Sequence, residues 1–203
     1  DVAAAWHSGK IWFKVPPSVR LNLHGRRPEG VSAKDIALNL LARFGASELL
    51  GYSIEIYGEW VDRMSLDERV TVASMATEMG AIIFLFPPNK EILDYCGKQS
   101  GNKVETVWAD REAFYEHEID LALDAFGPKV SIPGKPHAAK NVEEVRGILL
   151  DSAFIGSCTN GRMEDMREAA RILKGRRIAP DVVLKIVPAT NDVWQQCLAE
   201  DII

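Results

Sequence analysis

Short apolar runs alternate along this chain with amphipathic helical patterns, and this alternation limits the possible folds more than any other feature. A run with strand-like alternation is followed by a run with helical spacing of its apolar residues, and the succession then repeats. The strand patterns lie at 19–23, 53–57, 81–86, 118–123, 148–155 and 182–187, and the helical patterns at 33–44, 66–79, 90–95, 163–173 and from 192. Such a succession predicts an α/β fold, in which mixed or parallel sheets have flanking helices.

Two capping boxes mark where helices begin. Ser32 is followed three residues later by Asp35, and Ser65 is followed in the same way by Glu68. In a capping box the serine hydroxyl accepts from the third helical N–H, and the acidic side chain accepts from the serine N–H. Because Gly80 is the next helix-ending residue, the second box predicts one continuous helix from 66 to 79.

The segment at 127–146 is rich in Pro, Gly and Lys and has no clear period. It therefore predicts an interdomain linker between an α/β domain at 1–126 and a second α/β unit at 147–203. The chain starts at Asp1 rather than Met and stops at Ile203, soon after the second unit has begun. We therefore expect it to be part of something longer.

Composition excludes several classes of protein. The chain is 47% hydrophobic and 26% charged, which is typical of a soluble globular protein, and no apolar stretch is long enough to span a membrane. Its net charge of −5, with no basic stripe, argues against a nucleic-acid partner. The odd number of cysteines, Cys96, Cys158 and Cys197, forms no disulfide framework. A reducing compartment, the cytoplasm, is therefore the expected location.

Cys158 is the strongest chemical candidate in the sequence. It lies between the strand pattern that ends at 155 and the helical pattern that follows, where backbone N–H groups and the helix dipole stabilise an anion. Its neighbours Gly156, Ser157, Thr159, Asn160 and Gly161 are small or polar and keep the backbone close to the sulfur. These features favour a thiolate ligand or nucleophile over a cysteine that only fills a turn.

Glu78 is the second candidate. In the predicted 66–79 helix it shares a face with Thr71 and Ser74, and it occupies the last turn, where the helix dipole disfavours a negative charge. A charge placed against local preference indicates a site residue. The alternative is a solvated carboxylate at a helix end, since charged side chains are mostly exposed.

Several segments resemble the aconitase superfamily. The run 155–165, with Asn-Gly-Arg after Cys-Thr, is most similar to the branch that contains isopropylmalate dehydratases and homoaconitases. Further resemblances occur in the family's order at 1–5, 9–16, 32–36, 68–71 and 78–81, so the likeness covers essentially the whole chain. It implies that 1–126 is the family's second domain and that 147–203 is the first part of its third domain, which carries the cluster cysteine.

The resemblance implies a hydro-lyase with a 4Fe-4S cluster held by three cysteines. Cys158 matches the first of these ligands, and the other two are expected in a C-x-x-C pair beyond this chain. Glu78 matches an active-site glutamate near the departing water, and Ser74 stands where the family typically has Asn. The implied reaction interconverts 2-isopropylmalate and 3-isopropylmalate by dehydration and rehydration, in leucine biosynthesis. Homoaconitase or another malate-type dehydratase is the alternative within the family.

The resemblance also implies partners. A small subunit carrying a swivelling domain supplies the serine base, and the remainder of the large subunit supplies further substrate-binding residues. The substrate is a small di- or tricarboxylate, and we expect this chain by itself to be inactive.

Two hypotheses from other functional classes stay open. A cysteine-nucleophile enzyme would use the Cys158 thiolate directly, although a phosphatase needs Arg six positions after its cysteine and Arg162 is only four positions on. A cluster-free binding module, such as an RNA-binding state, is the other alternative, and the acidic balance of the chain disfavours it.

Overall fold

A computed structural model describes residues 2–203, and its first unit is built on a four-stranded parallel sheet. The strands are β1 (Ser18–His24), β2 (Ser53–Tyr57), β3 (Ile83–Leu85) and β4 (His117–Ala122). Their order across the sheet is β3-β2-β1-β4, and every neighbouring pair is parallel. Leu21 of β1 stands opposite Ile56 of β2 and Ile119 of β4. The α/β class predicted from the sequence is confirmed.

Helices and two small strand pairs make up the rest of the regular structure within residues 2–203. The helices are α1 (Val2–Ser8), α2 (Ala33–Phe44), α3 (Glu59–Arg63), α4 (Leu66–Ala73), α5 (Lys90–Ser100), α6 (Met163–Leu173) and α7 (Asn191–Ala199). An antiparallel ribbon pairs β5 (Lys129–Ser131) with β6 (Ala139–Asn141), and a parallel pair joins β7 (Ser152–Gly156) to β8 (Val183–Val187). None of these helices combines the length and the apolar character that a membrane crossing requires.

Helix α2 has a capped start, an apolar stripe that faces the core, and a glycine at its end, and all three favour a helix over these residues. The predicted capping box is present: the Asp35 N–H donates to the Ser32 hydroxyl, and the Ser32 N–H donates to the Asp35 carboxylate. Ile36 and Leu40 lie on the apolar stripe and are completely buried in the core beside the sheet. Burying such a side chain stabilises the fold by roughly 1.5–3 kcal/mol. The helix is therefore fixed firmly against the first unit.

The second unit has a much smaller core. Helices α6 and α7 lie with the β7–β8 pair, and the buried side chains there are Met163, Met166, Val193 and Cys197. The Cys197 thiol lies 3.7 Å from the Met163 sulfur, and burial raises the pKa of this thiol. Cys197 is thus a packing residue of this small core.

Helix α4 is shorter than the sequence predicts. It ends at Ala73, and after a turn the chain continues as a 3-10 helix at Thr77–Met79. The Ser74 hydroxyl donates to the Val70 carbonyl at 2.6 Å, and the following amides donate three residues back rather than four. Serine back-bonding of this kind competes with the α-helical ladder, which explains why the 66–79 prediction was wrong beyond residue 73.

The 127–146 segment contains regular structure that its composition does not predict. The β5–β6 ribbon occupies most of it, and the ribbon is tied to α2 rather than crossing freely between units. The Lys129 N–H donates to the Asp35 carboxylate at 3.0 Å, and the Asn39 amide donates to the Gly127 carbonyl at 2.7 Å. Three-residue strands show no measurable alternation, so sequence patterns miss them. The domain boundaries themselves stay a prediction.

Gly58 fixes how closely the ends of β1 and β2 approach each other. Its φ is +138°, and a Cβ atom at this position would overlap the Leu23 carbonyl oxygen. Gly30 also has a positive φ, +78°, but a Cβ atom there would meet nothing within 4 Å. An alanine at position 58 would therefore meet both backbone strain and steric overlap, whereas an alanine at position 30 would meet backbone strain alone.

We predict that Gly58→Ala destabilises the first unit by roughly 3 kcal/mol, from strain together with overlap. Gly30→Ala serves as the matched control, and its strain alone should cost about 1 kcal/mol. Urea unfolding followed by tryptophan fluorescence measures both. Equal midpoints for the two variants would contradict the close approach of Gly58 to Leu23.

Candidate functional site

Cys158 lies in an exposed loop between the two regular elements of the second unit. Strand β7 ends at Gly156 and helix α6 begins at Met163, with Arg162 as its N-cap. Cys158 is therefore four residues before the N-cap, and its side chain is exposed. The sequence places this cysteine correctly between strand and helix. The sequence wrongly places Cys158 at the helix start itself, because the residue lies more than one turn before the first helical residue of α6.

The loop around Cys158 is held in one shape by hydrogen bonds to the Ser157 hydroxyl and to the segment after β8. The Ser157 hydroxyl accepts from the N–H groups of Thr159 at 3.1 Å and Asn160 at 3.0 Å. At the other end the Gly161 carbonyl accepts from the Ala189 N–H at 2.9 Å, beyond the end of β8. These bonds explain why small and polar residues surround the cysteine: the backbone turns tightly and closes on itself.

Thr71 of α4 attaches this loop to the first unit. Its side chain is only 3% exposed, and its hydroxyl donates to the Thr159 carbonyl at 3.3 Å. The same hydroxyl accepts from the Asn160 amide at 3.4 Å. The two loop residues in this contact, Thr159 and Asn160, directly follow Cys158 in the sequence. The position of the cysteine relative to α4 is therefore set by a part-buried pair of hydrogen bonds.

A second contact continues along the first turn of α4. The Ser65 hydroxyl donates to the Glu164 carboxylate at 2.6 Å, and the Arg162 guanidinium lies 4.0 Å from the Asp67 carboxylate. Burial raises the pKa of both carboxyls, Asp67 and Glu164. Arg162 thus lies in the contact between the units, with its guanidinium beside Asp67. This placement gives no support to a phosphate cradle around Cys158.

Asp165 shapes the end of the loop from inside α6. Its carboxylate accepts from the Arg162 N–H at 3.1 Å, which completes the cap of the helix, and from the Asn160 amide at 3.4 Å. Asn160 therefore bridges two anchors, Thr71 in the first unit and Asp165 in the second. Sequence spacing alone does not show this bridge, because its two ends are joined only by the fold.

Glu78 and Ser74 lie on the segment that leaves α4. Glu78 belongs to the 3-10 helix and is exposed, while its neighbour Met79 is completely buried. Ser74 is also exposed, and its hydroxyl donates to the helix carbonyl of Val70. The two side chains are thus presented to solvent by a segment whose apolar residues are packed.

Lys34 is the residue of this region that sequence reasoning missed. Burial lowers the pKa of its ammonium, and nearby acidic groups act in the opposite direction. Those groups are, in decreasing order of effect, Asp165, Cys158 and Glu78. The two candidates picked from the sequence therefore both act on the pKa of one ammonium, although they come from different units. A signal existed: Lys34 is in the first turn of α2, where the helix dipole disfavours a cation.

The residues described here do not by themselves make a metal site. Among residues 2–203, no group of three or more His, Cys, Asp or Glu side chains is arranged to hold a metal ion. Cys158 is exposed, whereas Cys197 is buried in the second core and Cys96 lies on α5. Cys158 is thus the most exposed thiol of the three, a soft donor suited to iron or zinc, held in a fixed loop.

Comparison with known proteins gives a consistent result over the whole chain. A family model described as the aconitase family (aconitate hydratase) matches residues 1–147 and 138–203. The chain is 39% identical over 203 residues to a protein of Methanopyrus kandleri named 3-isopropylmalate dehydratase large subunit 1, covering 100% of this chain and 49% of the relative.

Two further relatives agree. Proteins named 3-isopropylmalate dehydratase large subunit from Oleidesulfovibrio alaskensis and Nitratidesulfovibrio vulgaris are 40% and 41% identical, again over 100% of this chain and 48% of each relative. The chain therefore spans about half the length of the curated relatives that it matches.

We predict that Thr71→Val loosens the cysteine loop without unfolding α4, because valine has a similar shape but no hydroxyl. Losing one buried hydrogen-bonding group costs about 1 kcal/mol, so amide hydrogen exchange at 157–161 should accelerate roughly fivefold. Thr106→Val is the control, since Thr106 is exposed in a loop of the first unit. Unchanged exchange at 157–161 in the Thr71 variant would show that this contact does not hold the loop.

Proposed function

The chain belongs to the aconitase family, and from that premise we propose that it forms part of a hydro-lyase that interconverts 2-isopropylmalate and 3-isopropylmalate. The observation that supports this most is that Thr71 of α4 holds the loop that carries the exposed Cys158 thiol, while the segment that continues from α4 carries the exposed Glu78. The names of the relatives support the substrate. Leucine biosynthesis in the cytoplasm is the setting that this proposal implies.

Cys158 is proposed as one thiolate ligand of a 4Fe-4S cluster. Its exposure and its fixed loop fit that role, and the further cysteine ligands are proposed to come from outside this chain, since Cys197 is buried and Cys96 lies on α5. When bound, such a cluster supplies a Lewis acid that polarises a hydroxyl group.

Glu78 is proposed as the acid–base group for the departing or entering water. Dehydration removes a proton from one carbon and a hydroxyl from its neighbour, so the hydroxyl needs a proton as the C–O bond breaks. A positioned carboxyl group can donate that proton and recover it in the hydration step. Glu78 is exposed toward solvent on a segment anchored by Met79, so its carboxyl can reach a ligand.

Ser74 is proposed to assist Glu78 from one turn earlier. Its hydroxyl donates to the Val70 carbonyl and keeps its lone pairs available, so it can accept a hydrogen bond from a ligand or water. It stands where the family resemblance expects an amide. The shorter side chain leaves more room beside Glu78 than an asparagine would.

Partners are part of the same proposal. Trp6, Trp12 and Phe13 near the start of the chain are 85%, 89% and 70% exposed. A run of exposed large apolar side chains marks a surface that another polypeptide covers. We assign the covering to the remainder of the large subunit, with a small subunit closing over the di- or tricarboxylate substrate. The net charge of −5 and the absence of a basic stripe from the sequence give no support to a nucleic-acid partner.

We predict that Cys158→Ser in the whole enzyme, assembled with its small subunit, abolishes both cluster content and turnover. Loss of the Lewis acid should lower kcat by at least about 10³-fold, and bound iron and sulfide should fall in parallel. Cys96→Ser is the matched control and should retain activity. Activity is followed by the ultraviolet absorbance of the dehydrated product, with 2-isopropylmalate and homocitrate compared as substrates. A full cluster in the Cys158 variant would refute the ligand assignment.

We predict that Glu78→Gln lowers kcat by roughly 10²–10⁴-fold while the cluster is retained, because a proton donor is lost but no thiolate is. Ser74→Ala should lower kcat only about fivefold, as expected for one hydrogen bond. Glu105→Gln, at an exposed loop position, is the control for the Glu78 variant. The ratio of kcat values at equal iron content is the measurement, and equal activity of the Glu78 and Glu105 variants would exclude the acid–base role.

A further inference from the structure

The two capping boxes of the first unit differ in where the serine hydroxyl donates its proton. In both boxes the hydroxyl accepts from the third helical N–H, at 3.2 Å from Asp35 and at 3.1 Å from Glu68. The Ser32 hydroxyl then donates to its own box partner, Asp35, at 2.7 Å. The Ser65 hydroxyl instead donates to Glu164 of the second unit, at 2.6 Å. The start of α4 is therefore both a helix cap and a contact between the units.

One hydroxyl group can do both because it carries one proton and two lone pairs. The Ser65 side chain accepts from α4 and donates to α6 without losing either bond. On the other helix, Glu164 is the second residue of α6 after the N-cap Arg162. The positive end of the helix dipole favours a carboxylate at such a position. The acceptor of the contact is thus stabilised by its own helix.

The contact with Ser65 is the last of three that follow one another along α4. They are, in chain order, Thr159 and Asn160 with Thr71, Arg162 with Asp67, and Glu164 with Ser65. As the residue numbers rise from the cysteine loop into α6, the numbers of their partners on α4 fall. The loop and the start of α6 therefore run along α4 in the opposite direction to it.

Contacts at both ends of this row constrain the loop more than one contact can. Thr71 alone would let the loop pivot about a single point. Ser65 precedes Thr71 by six residues, which corresponds to about 9 Å along a helix at roughly 1.5 Å per residue. Two contacts separated by such a distance fix the direction of the loop as well as its position.

The charges around Glu164 do not favour this contact by themselves. Partial burial raises the pKa of its carboxyl, the hydrogen bond from Ser65 lowers it, and the charges of Glu68, Asp67 and Asp165 raise it again. The neighbouring carboxylates thus repel Glu164, and the Ser65 hydroxyl is the group that attracts it. An uncharged acceptor of the same shape should therefore make the contact as well as the carboxylate does.

We propose that Ser65 and Glu164 are positioning residues for Cys158: the hydrogen bond between them fixes the direction in which the cysteine loop lies on α4. The consequence for catalysis rests on the proposed function, in which Cys158 and Glu78 serve one substrate. The structural part concerns only this chain's own residues. Ser65 and Glu164 act through the loop, and neither needs to contact the substrate.

Amide hydrogen exchange at 157–162 in the whole enzyme tests this proposal, with Glu164→Ala and Glu164→Gln compared. The alanine variant should accelerate exchange roughly two- to fivefold, as for the loss of one solvent-accessible hydrogen bond. The glutamine variant should stay within about twofold of the wild type, because its amide oxygen can accept from Ser65. Glu168→Ala is the matched control, since Glu168 is exposed on the same helix and pairs with Arg171 within it.

Ser65→Ala and Ser32→Ala form a second matched pair, because each removes the serine of one capping box. Both should lower the unfolding midpoint, but only Ser65→Ala should accelerate exchange at 157–162. Added to Glu164→Ala, Ser65→Ala should give no further acceleration there, since the two residues share one bond. Ser65→Gly replaces Ser65→Ala if the latter does not fold, because glycine is the better N-cap.

Steady-state kinetics separate positioning from a merely structural role. In the active enzyme kcat of Glu164→Ala should fall roughly tenfold with little change in KM, since misplacement affects the reacting groups rather than binding. Glu164→Gln should restore kcat to within about twofold of the wild type. A loss of stability alone would not be reversed by one neutral acceptor at this position.

The proposal is overturned if exchange at 157–162 is unchanged in Glu164→Ala, or if Glu164→Gln behaves like Glu164→Ala. It is also overturned if Ser32→Ala accelerates exchange there as much as Ser65→Ala does, which would indicate general destabilisation of the first unit. Failure of the wild-type enzyme to dehydrate isopropylmalate would refute the proposed function instead, and the exchange experiment would still decide the role of the Ser65–Glu164 bond.

Discussion

The buried hydroxyl of Thr71 is the interaction on which the arrangement of the site depends. Cys158 belongs to the second unit and Glu78 to the first, so their separation is set by how the cysteine loop sits on α4. Thr71 makes two hydrogen bonds to that loop, at 3.3 Å and 3.4 Å. Each contributes about 1 kcal/mol net, which is enough to favour one loop position but not enough to hold the two units together alone. The polar contacts of Ser65 and Arg162 add to the same surface.

Thr71 can do this only because α4 is itself well placed. The first unit buries its sheet, α2 and α4 in one continuous apolar core, whereas the second unit has four buried core residues. The free energy of local unfolding is therefore expected to be higher in the first unit than in the second. Glu78 belongs to the first unit, with its large core. Cys158 belongs to the second unit, which depends more on its contacts with the first. This asymmetry gives the polar contacts of the cysteine loop and α6 with α4 more weight here than they would have on a large, firmly packed interface.

The sequence predicts the local features well and the contacts between distant segments poorly. Strand β2 and helix α2 lie where their patterns indicate, because alternation and the Ser32 capping box are local signals. The helix predicted to 79 ends at Ala73, since the Ser74 hydroxyl competes with the helical ladder. The sequence groups Thr71 with Ser74 and Glu78 on one face, but its partners are 88 and 89 residues away in the chain. No spacing rule reveals such a pairing.

The exposure of the candidate side chains follows from the burial of their neighbours. Met75 and Met79 are buried on either side of Glu78, and Gly161 and Met163 are buried beyond Cys158. A side chain anchored through packed neighbours loses little further conformational freedom when it meets a ligand, so more of the interaction energy remains for binding and chemistry. The same arrangement leaves both polar groups turned outward from their own units. Under the proposed function, the contact of the cysteine loop with α4 through Thr71 therefore matters for the chemistry as well as for the fold.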